Sequence, residues 1–279
     1  MFNIGCHLSN ANGLSGMAKI ALEIGANTFQ FFTCNPRGAS KSSAFKQEDI
    51  NEFLKISDSN NFGKIVAHSP FIMNLCSAKP KIRDFSAEIL KKDLQKMKKI
   101  PGNFYNLHPG NHSGQGTEAG IEFISESIAW ACAENHETIV LLETMSGKGS
   151  EVGSNFDEIS CIIKKTNLDT LGVCLDTCHI YDAGYDIVNN LDGVLEEFDS
   201  KIGISRLKVI HVNDSKNSLN SHKDRHEKIG QGSIGFDAIT NIINNLALKD
   251  LVFILETPND VPGYAKEIAI LNSMIKVNF

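Results

Sequence analysis

The sequence predicts an α/β chain folded as one (β/α)8 TIM-like barrel, a single domain over residues 1–279, with any active site at the mouth formed by the C-terminal ends of the strands. Three observations carry this. Eight short apolar runs alternate with longer amphipathic stretches, which implies parallel strands joined by helices. The runs are rich in Val, Ile, Leu and Phe, and several lack polar alternation, as strands buried on both faces do. The first run leads into Cys6-His7-Leu8-Ser9-Asn10 rather than the Gly-rich phosphate turn usual in an open doubly wound sheet.

The expected strands lie at residues 3–8, 28–33, 64–68, 104–108, 139–144, 171–177, 207–212 and 251–257. After the first, Leu14, Met17, Ala18, Ala21 and Leu22 recur at helical spacing. Ile82, Phe85, Ile89 and Leu94 form a second stripe after the third strand, and Ile121, Ile124, Ile128 and Ala131 another after the fourth. Ile159, Ile162 and Ile163 follow the fifth; Ile268, Leu271 and Met274 close the chain after Pro262. Asp49, Thr117 and Asn155 are expected helix N-caps. Lys91, Lys92 and the lysines of 96–99 read as a solvated helix face. There is no low-complexity tract and no repeat of 20–50 residues.

Composition narrows the function. No apolar run reaches the roughly 18 residues of a membrane span, and the start, Met-Phe-Asn-Ile-Gly-Cys-His, has neither the basic region nor the apolar stretch of a signal peptide. Seven cysteines without a secretion signal read as reduced thiols, and the expected compartment is the cytoplasm. A net charge of −6 argues against a strongly basic nucleic-acid module. That argument weakens if carboxylates bind metal, since three divalent cations would bring the total to about zero.

The strand ends are the informative feature. The runs terminate in His7, His68, His108, Glu143, Asp176, His211 and Glu256. One His or Glu at a strand end is ordinarily a rim residue or part of an ion pair. Seven converging on one barrel mouth, with almost no Lys or Arg beside them, would repel one another unless cations neutralised them. Neutral His with Asp and Glu is a ligand set for Zn2+, Mn2+ or Fe2+. His179, three residues past Asp176, and the pair Asp224-x-His226 in a Gly-bounded loop extend the cluster. His7 and His112 are candidates for groups that support ligands; His136 and His222 read as solvent-facing or structural. Cys174 and Cys178 flank Asp176, but no second Cys pair completes a four-cysteine zinc site, and neighbouring carboxylates would raise a thiol too far for a nucleophile.

At these residues the chain resembles a known family. Gly172-Val-Cys-Leu-Asp-Thr-Cys-His-Ile-Tyr-Asp-Ala-Gly-Tyr-Asp186 and His211-Val-Asn-Asp-Ser-Lys216 are two of its signatures. Asp224-Arg-His226, then Ile-Gly-Gln-Gly-Ser-Ile-Gly235, and Leu255-Glu-Thr-Pro258 are others. With Leu107-His-Pro-Gly110 and Leu142-Glu-Thr-Met145, they closely resemble the endonuclease IV family of apurinic/apyrimidinic endonucleases, from the first strand to the end of the chain.

The resemblance implies a barrel holding three zinc ions, with Mn2+ able to replace one or more. One ion would sit on His68, His108 and Glu143; a second would share Glu143 and take Asp176, His211 and Glu256; the third would take His179, Asp224 and His226. It implies hydrolysis of the phosphodiester 5′ to an abasic site in double-stranded DNA, leaving a 3′-hydroxyl and a 5′-deoxyribose phosphate, and removal of blocking groups from 3′ ends. It also implies a monomer, acting on the nucleoid. Arg37, Phe71 and Ile72 occupy positions of loops that hold the opened duplex; where family members commonly have Tyr, this chain has Phe71, so a hydroxyl hydrogen bond is lost. The competing readings are a metal-dependent sugar isomerase or epimerase on a related barrel, and a catalytically idle barrel. The Asp224-Arg225-His226 motif and His179 favour the nuclease over the first, and the complete ligand set disfavours the second.

Overall fold

The computed structural model describes residues 2–36, 38, 45–135 and 137–276. Eight parallel strands form the barrel wall: β1 (Asn3–Cys6), β2 (Gln30–Phe32), β3 (Val66–His68), β4 (Phe104–Leu107), β5 (Ile139–Glu143), β6 (Leu171–Asp176), β7 (Leu207–Val212) and β10 (Val252–Leu255). Their order is β1-β10-β7-β6-β5-β4-β3-β2. A bridge between His7 and Gln30, with Leu8 N donating to Gln30 O at 2.8 Å, closes the ring between β1 and β2. Gly5 permits this seam: a Cβ there would lie 2.1 Å from the Thr28 carbonyl oxygen.

Helices α1 (Gly13–Glu23), α2 (Gln47–Ser59), α3 (Pro80–Met97), α4 (Thr117–Ala131), α5 (Phe156–Thr166), α6 (Thr177–Ala183), α7 (Leu191–Lys201), α8 (Gly235–Ile243) and α9 (Val261–Met274) fill the connections. A hairpin of β8 (Asp214–Ser215) and β9 (His226–Glu227) stands on the loop after β7; two-residue strands are too short to leave a periodic signal. No helix among the described residues is long and apolar enough to cross a membrane.

Two expected caps fall differently. Asn155 caps α5 as expected, accepting from Glu158 N at 2.9 Å. Asp49 lies inside the first turn of α2 and instead caps α1, accepting from Leu14 N at 2.8 Å and Ser15 N at 2.9 Å. Thr117 is the first residue of α4, and Gly116, at φ +95°, takes the cap position. Lys96 also departs from the solvated face: it reaches Asp93 Oδ1 at 2.6 Å, a buried carboxylate that also accepts from Thr33 and Tyr105.

A large apolar cluster fills the space between helices and strands. A second, smaller one, of Val66, Phe104, Leu141, Cys174, Val209, Val252 and Ile254, lies inside the barrel. Side chains two apart on a strand share a face. Two residues beyond these interior positions come His68, Asn106, Glu143, Asp176, His211 and Glu256. The apolar layer is thus the floor of the barrel interior, and the polar residues form the layer above it, at the C-terminal mouth.

Candidate metal centre

Glu143, fully buried at the end of β5, is the hub. Its Oε2 lies 3.2 Å from His68 Nε2 and 3.3 Å from His108 Nε2. Its Oε1 lies 3.3 Å from His179 Nδ1 and 3.4 Å from His211 Nδ1. One carboxylate therefore presents each oxygen to a different pair of imidazoles. His211 Nδ1 also faces Glu256 Oε2 at 3.2 Å and Asp176 Oδ2 at 3.7 Å. His179 Nε2 lies 3.2 Å from Asp224 Oδ1, and His226 Nε2 lies 3.7 Å from the same oxygen and 3.6 Å from Asp176 Oδ2.

All nine expected ligands are thus drawn together. Three groups have ligand atoms within 4.8 Å of one another: His68, His108 and Glu143; Glu143, Asp176, His211 and Glu256; and Asp176, His179 and His226. In the third group Asp176 stands where Asp224 was expected: at the β6 terminus it accepts from the backbone N of His179 on α6, and its Oδ2 lies 3.6 Å from His226 Nε2. Asp224 borders that group through the contacts given above.

The residues fit divalent ions. Glu143 Oε1, His211 Nδ1 and His226 Nε2 are buried without a hydrogen-bond partner among the described residues, a costly state unless something positive binds there. Among the described residues, the ion pairs of Glu143, Asp176 and Glu256 are all with histidine. Burial works to raise the Glu143 carboxyl, but His108 and His211 hold it well below the usual range. Burial opposes charge on His179, yet Asp176, Asp224 and Glu143 lift it well above an ordinary imidazole. Asp224, against burial, is brought down to about 2 by His179 and His226. Protons and metal ions therefore compete for the same atoms.

Surrounding groups orient the candidate ligands. His68 Nδ1 contacts Ser69 O at 2.7 Å, His179 Nδ1 contacts Thr144 O at 2.8 Å, and His226 Nδ1 contacts Glu256 O at 3.2 Å. Asn106 Nδ2 donates to Glu143 Oε2 at 2.5 Å, and Asn213 Nδ2 donates to Asp176 Oδ2 at 2.7 Å. Gln30 Nε2 donates to Glu256 Oε1 at 2.5 Å, while Gln30 Oε1 meets His211 Nε2 at 2.8 Å. Such partners fix ring orientation and tautomer. His7 joins them, 3.3 Å from Glu256 Oε1. Sequence reasoning missed Gln30, Asn106 and Asn213. The signal for the first two was present: a polar residue inside Phe29-Gln30-Phe31 and inside Tyr105-Asn106-Leu107.

The cluster opens into a cavity of about 610 Å3, whose wall includes Phe71, Asn259, Asp260 and Tyr264. Phe71 is 59% exposed, and its ring stands edge-on to Phe32 with centroids 5.0 Å apart. It is a rim residue, not core. Ile72 is half-buried beside it. Arg37 and His136 lie outside the described residues. His112 is set apart from the ligands, its Nδ1 accepting from Gly114 N and Gly116 N at 3.2 Å each. His222 Nδ1 contacts Ser146 O at 2.9 Å. Cys174 is pushed up to about 12, chiefly by burial, with Glu143 and Asp176 adding to it; burial and Asp176 raise Cys178 as well. Both thiols are buried. All seven cysteines are free.

Comparison with known proteins places this geometry. A family model described as a xylose isomerase-like TIM barrel matches residues 18–274. A curated relative from Clostridium botulinum, named Probable endonuclease 4, is 58% identical over 277 residues, covering 99% of this chain and all of that one. The crystal structure of endonuclease IV from Thermus thermophilus superposes with a TM-score of 0.87 at 31% identity, over 98% of both chains. A D-tagatose 3-epimerase-like protein superposes at TM-score 0.73 with 19% identity, over 98% of this chain and 96% of that one, a likeness of fold alone.

Proposed function

Since this chain belongs to the endonuclease IV family, we propose that it is a metal-dependent DNA-repair endonuclease. It hydrolyses the phosphodiester 5′ to apurinic/apyrimidinic sites in double-stranded DNA, leaving 3′-hydroxyl and 5′-deoxyribose phosphate ends, and it removes blocking groups from 3′ ends. It acts as a monomer in the cytoplasm, at the nucleoid; seven free thiols suit a reducing compartment. The observation that carries the reading is Glu143, one buried carboxylate with each oxygen facing a separate pair of imidazoles.

Three Zn2+ ions would be held by the residues gathered here: His68, His108 and Glu143; Glu143, Asp176, His211 and Glu256; and His179, Asp224 and His226 with Asp176 beside them. Imidazole and carboxylate donors suit zinc, and Mn2+ can take their place. When bound, such ions supply a nucleophile near neutral pH and positive charge for phosphate oxygens.

The chain's own residues do the rest. Glu143 belongs to both the His68–His108 group and the Asp176–His211–Glu256 group and would serve an ion in each from one strand end. The apolar layer of the barrel interior closes the floor of the site, and a nucleotide turned out of the duplex would enter through the mouth. Extrusion costs a few kcal/mol, least where a base is missing. Phe71, with Ile72 and Arg37, would fill the gap left in the stack. Lys216 pairs with Glu227 at 3.8 Å and is not part of the cavity wall, so it is not placed to serve as a Schiff-base nucleophile.

The test is incision of a duplex carrying one natural abasic site, before and after chelation. Chelator should abolish cutting and added Zn2+ should restore it, with product ends as stated. Cutting that survives complete metal removal would overturn the reading.

A further inference from the structure

Helix α6 is two turns long, yet it organises much of the centre. Asp176 caps it, accepting from His179 N at 2.9 Å. Three residues past His179 lies Asp182, which is buried, belongs to none of the three ligand groups and does not line the cavity. Its Oδ1 accepts from Ser215 Oγ at 2.7 Å. Its Oδ2 accepts from Asp224 N at 2.9 Å and from Asn217 Nδ2 at 3.3 Å. Its carbonyl oxygen accepts from His222 N at 3.0 Å, and that of Tyr181 from Asn220 N at 3.1 Å. The loop from 215 to 224 is therefore tied to α6 mainly through this one residue.

That loop needs tying. Asn220, His222 and Asp224 all hold left-handed backbone, at φ 63°, 54° and 54°. Non-glycine residues adopt that region at a cost, and keep it only where surrounding contacts over-determine it. The peptide N–H of Asp224, itself a candidate ligand, is held by the Asp182 carboxylate. Ser215, held by the other carboxylate oxygen, pairs across the hairpin with His226.

We propose that Asp182 is a positioning residue: by clamping Ser215 and Asp224 to α6 it sets Asp224 and His226 against His179 and so builds the third ion site. This rests on the reading of that cluster given under Proposed function.

The experiment is a chelator titration of zinc-loaded protein, counting ions retained, for wild type, Asp182→Ala and Asp182→Asn. Removing a group that orients ligands lowers metal affinity about 10- to 100-fold. Asp182→Ala should release one ion at correspondingly lower chelator while the others leave as in wild type. Asp182→Asn keeps an acceptor for Asp224 N and can donate to Ser215 Oγ, and should behave nearly as wild type. Unchanged retention in Asp182→Ala, or equal weakening of every ion, would overturn the proposal.

Should Asp182→Ala fail to fold, amide exchange of metal-free wild-type protein decides: the amides of His222 and Asp224 should stay protected, and exchange as fast as an open loop would overturn it. That measurement needs no bound ion. A wild-type protein that never takes up a third ion would therefore defeat the reading of the cluster, while the exchange rates still decide whether Asp182 clamps the loop.

Discussion

Gln30 Oε1 lies 2.8 Å from His211 Nε2, which leaves His211 Nδ1 turned toward Glu256 and Glu143 at 3.2 and 3.4 Å. The amide oxygen is placed to accept from Nε2–H, and the amide Nε2 simultaneously restrains Glu256. A residue on β2 thus contacts candidate ligands from β7 and from the end of β10, across the seam where the barrel closes.

Gln30→Leu should therefore weaken metal at the Glu143–Asp176–His211–Glu256 group about 10- to 100-fold. It should also destabilise the protein by about 1–3 kcal/mol, the cost of leaving buried polar partners unpaired. Chelator competition and thermal unfolding of the same sample check both.

Glu143→Gln should be more damaging than loss of any single histidine, because the carboxylate serves two groups and the amide lacks its charge. Elemental analysis of wild-type protein should approach three divalent ions per chain. Glu143→Gln should fall by more ions than His68→Ala, and a variant that kept the wild-type count would remove Glu143 from the hub.

Phe71→Ala should weaken binding to abasic duplex by about 1–3 kcal/mol, by analogy with base–aromatic stacking. Its metal content should stay intact, and its stability should change by no more than about 0.5 kcal/mol, as expected for an exposed side chain. Fluorescence anisotropy and thermal unfolding separate the two effects; loss of metal or fold would make Phe71 a packing residue.

Metal uptake should release protons near neutral pH. His179 is raised well above its ordinary value, so in metal-free protein it is protonated below that raised value and a binding ion must displace the proton. Apparent metal affinity should accordingly fall as pH drops. Calorimetry in two buffers of different ionisation enthalpy measures the release; no proton release would contradict the competition.

The strand-end candidates were legible because they break otherwise apolar runs; the structure adds that strands alternate faces. A barrel strand that is apolar at one interior position and polar at the next advertises the polar residue, as Val66 and His68, Leu141 and Glu143, or Val209 and His211 do. Asn106, two residues past Phe104, carries the same signature but is an uncharged amide, which chemistry alone does not single out; Gln30, two residues past Thr28, lacks even that contrast. Asp182 reads as an ordinary residue of a short helix; its role exists only because the chain returns to it 33 to 42 residues later. Asp49 misleads for a related reason. It stands where a local cap is expected, yet the amides it serves lie 34 and 35 residues away on another helix. Periodicity reports the face a residue occupies and cannot report which distant backbone it will meet.

The central claim is hydrolysis by a metal centre, not elimination through a lysine adduct, and a duplex with one tetrahydrofuran abasic analogue tests it most directly. That analogue lacks the C1 aldehyde a Schiff base requires. Hydrolysis predicts a nick 5′ to the analogue, a 3′-hydroxyl end, cutting comparable to that at a natural site and no adduct trapped by borohydride. Failure to cut the analogue while natural sites are cut, or a borohydride-trapped covalent adduct, would contradict it.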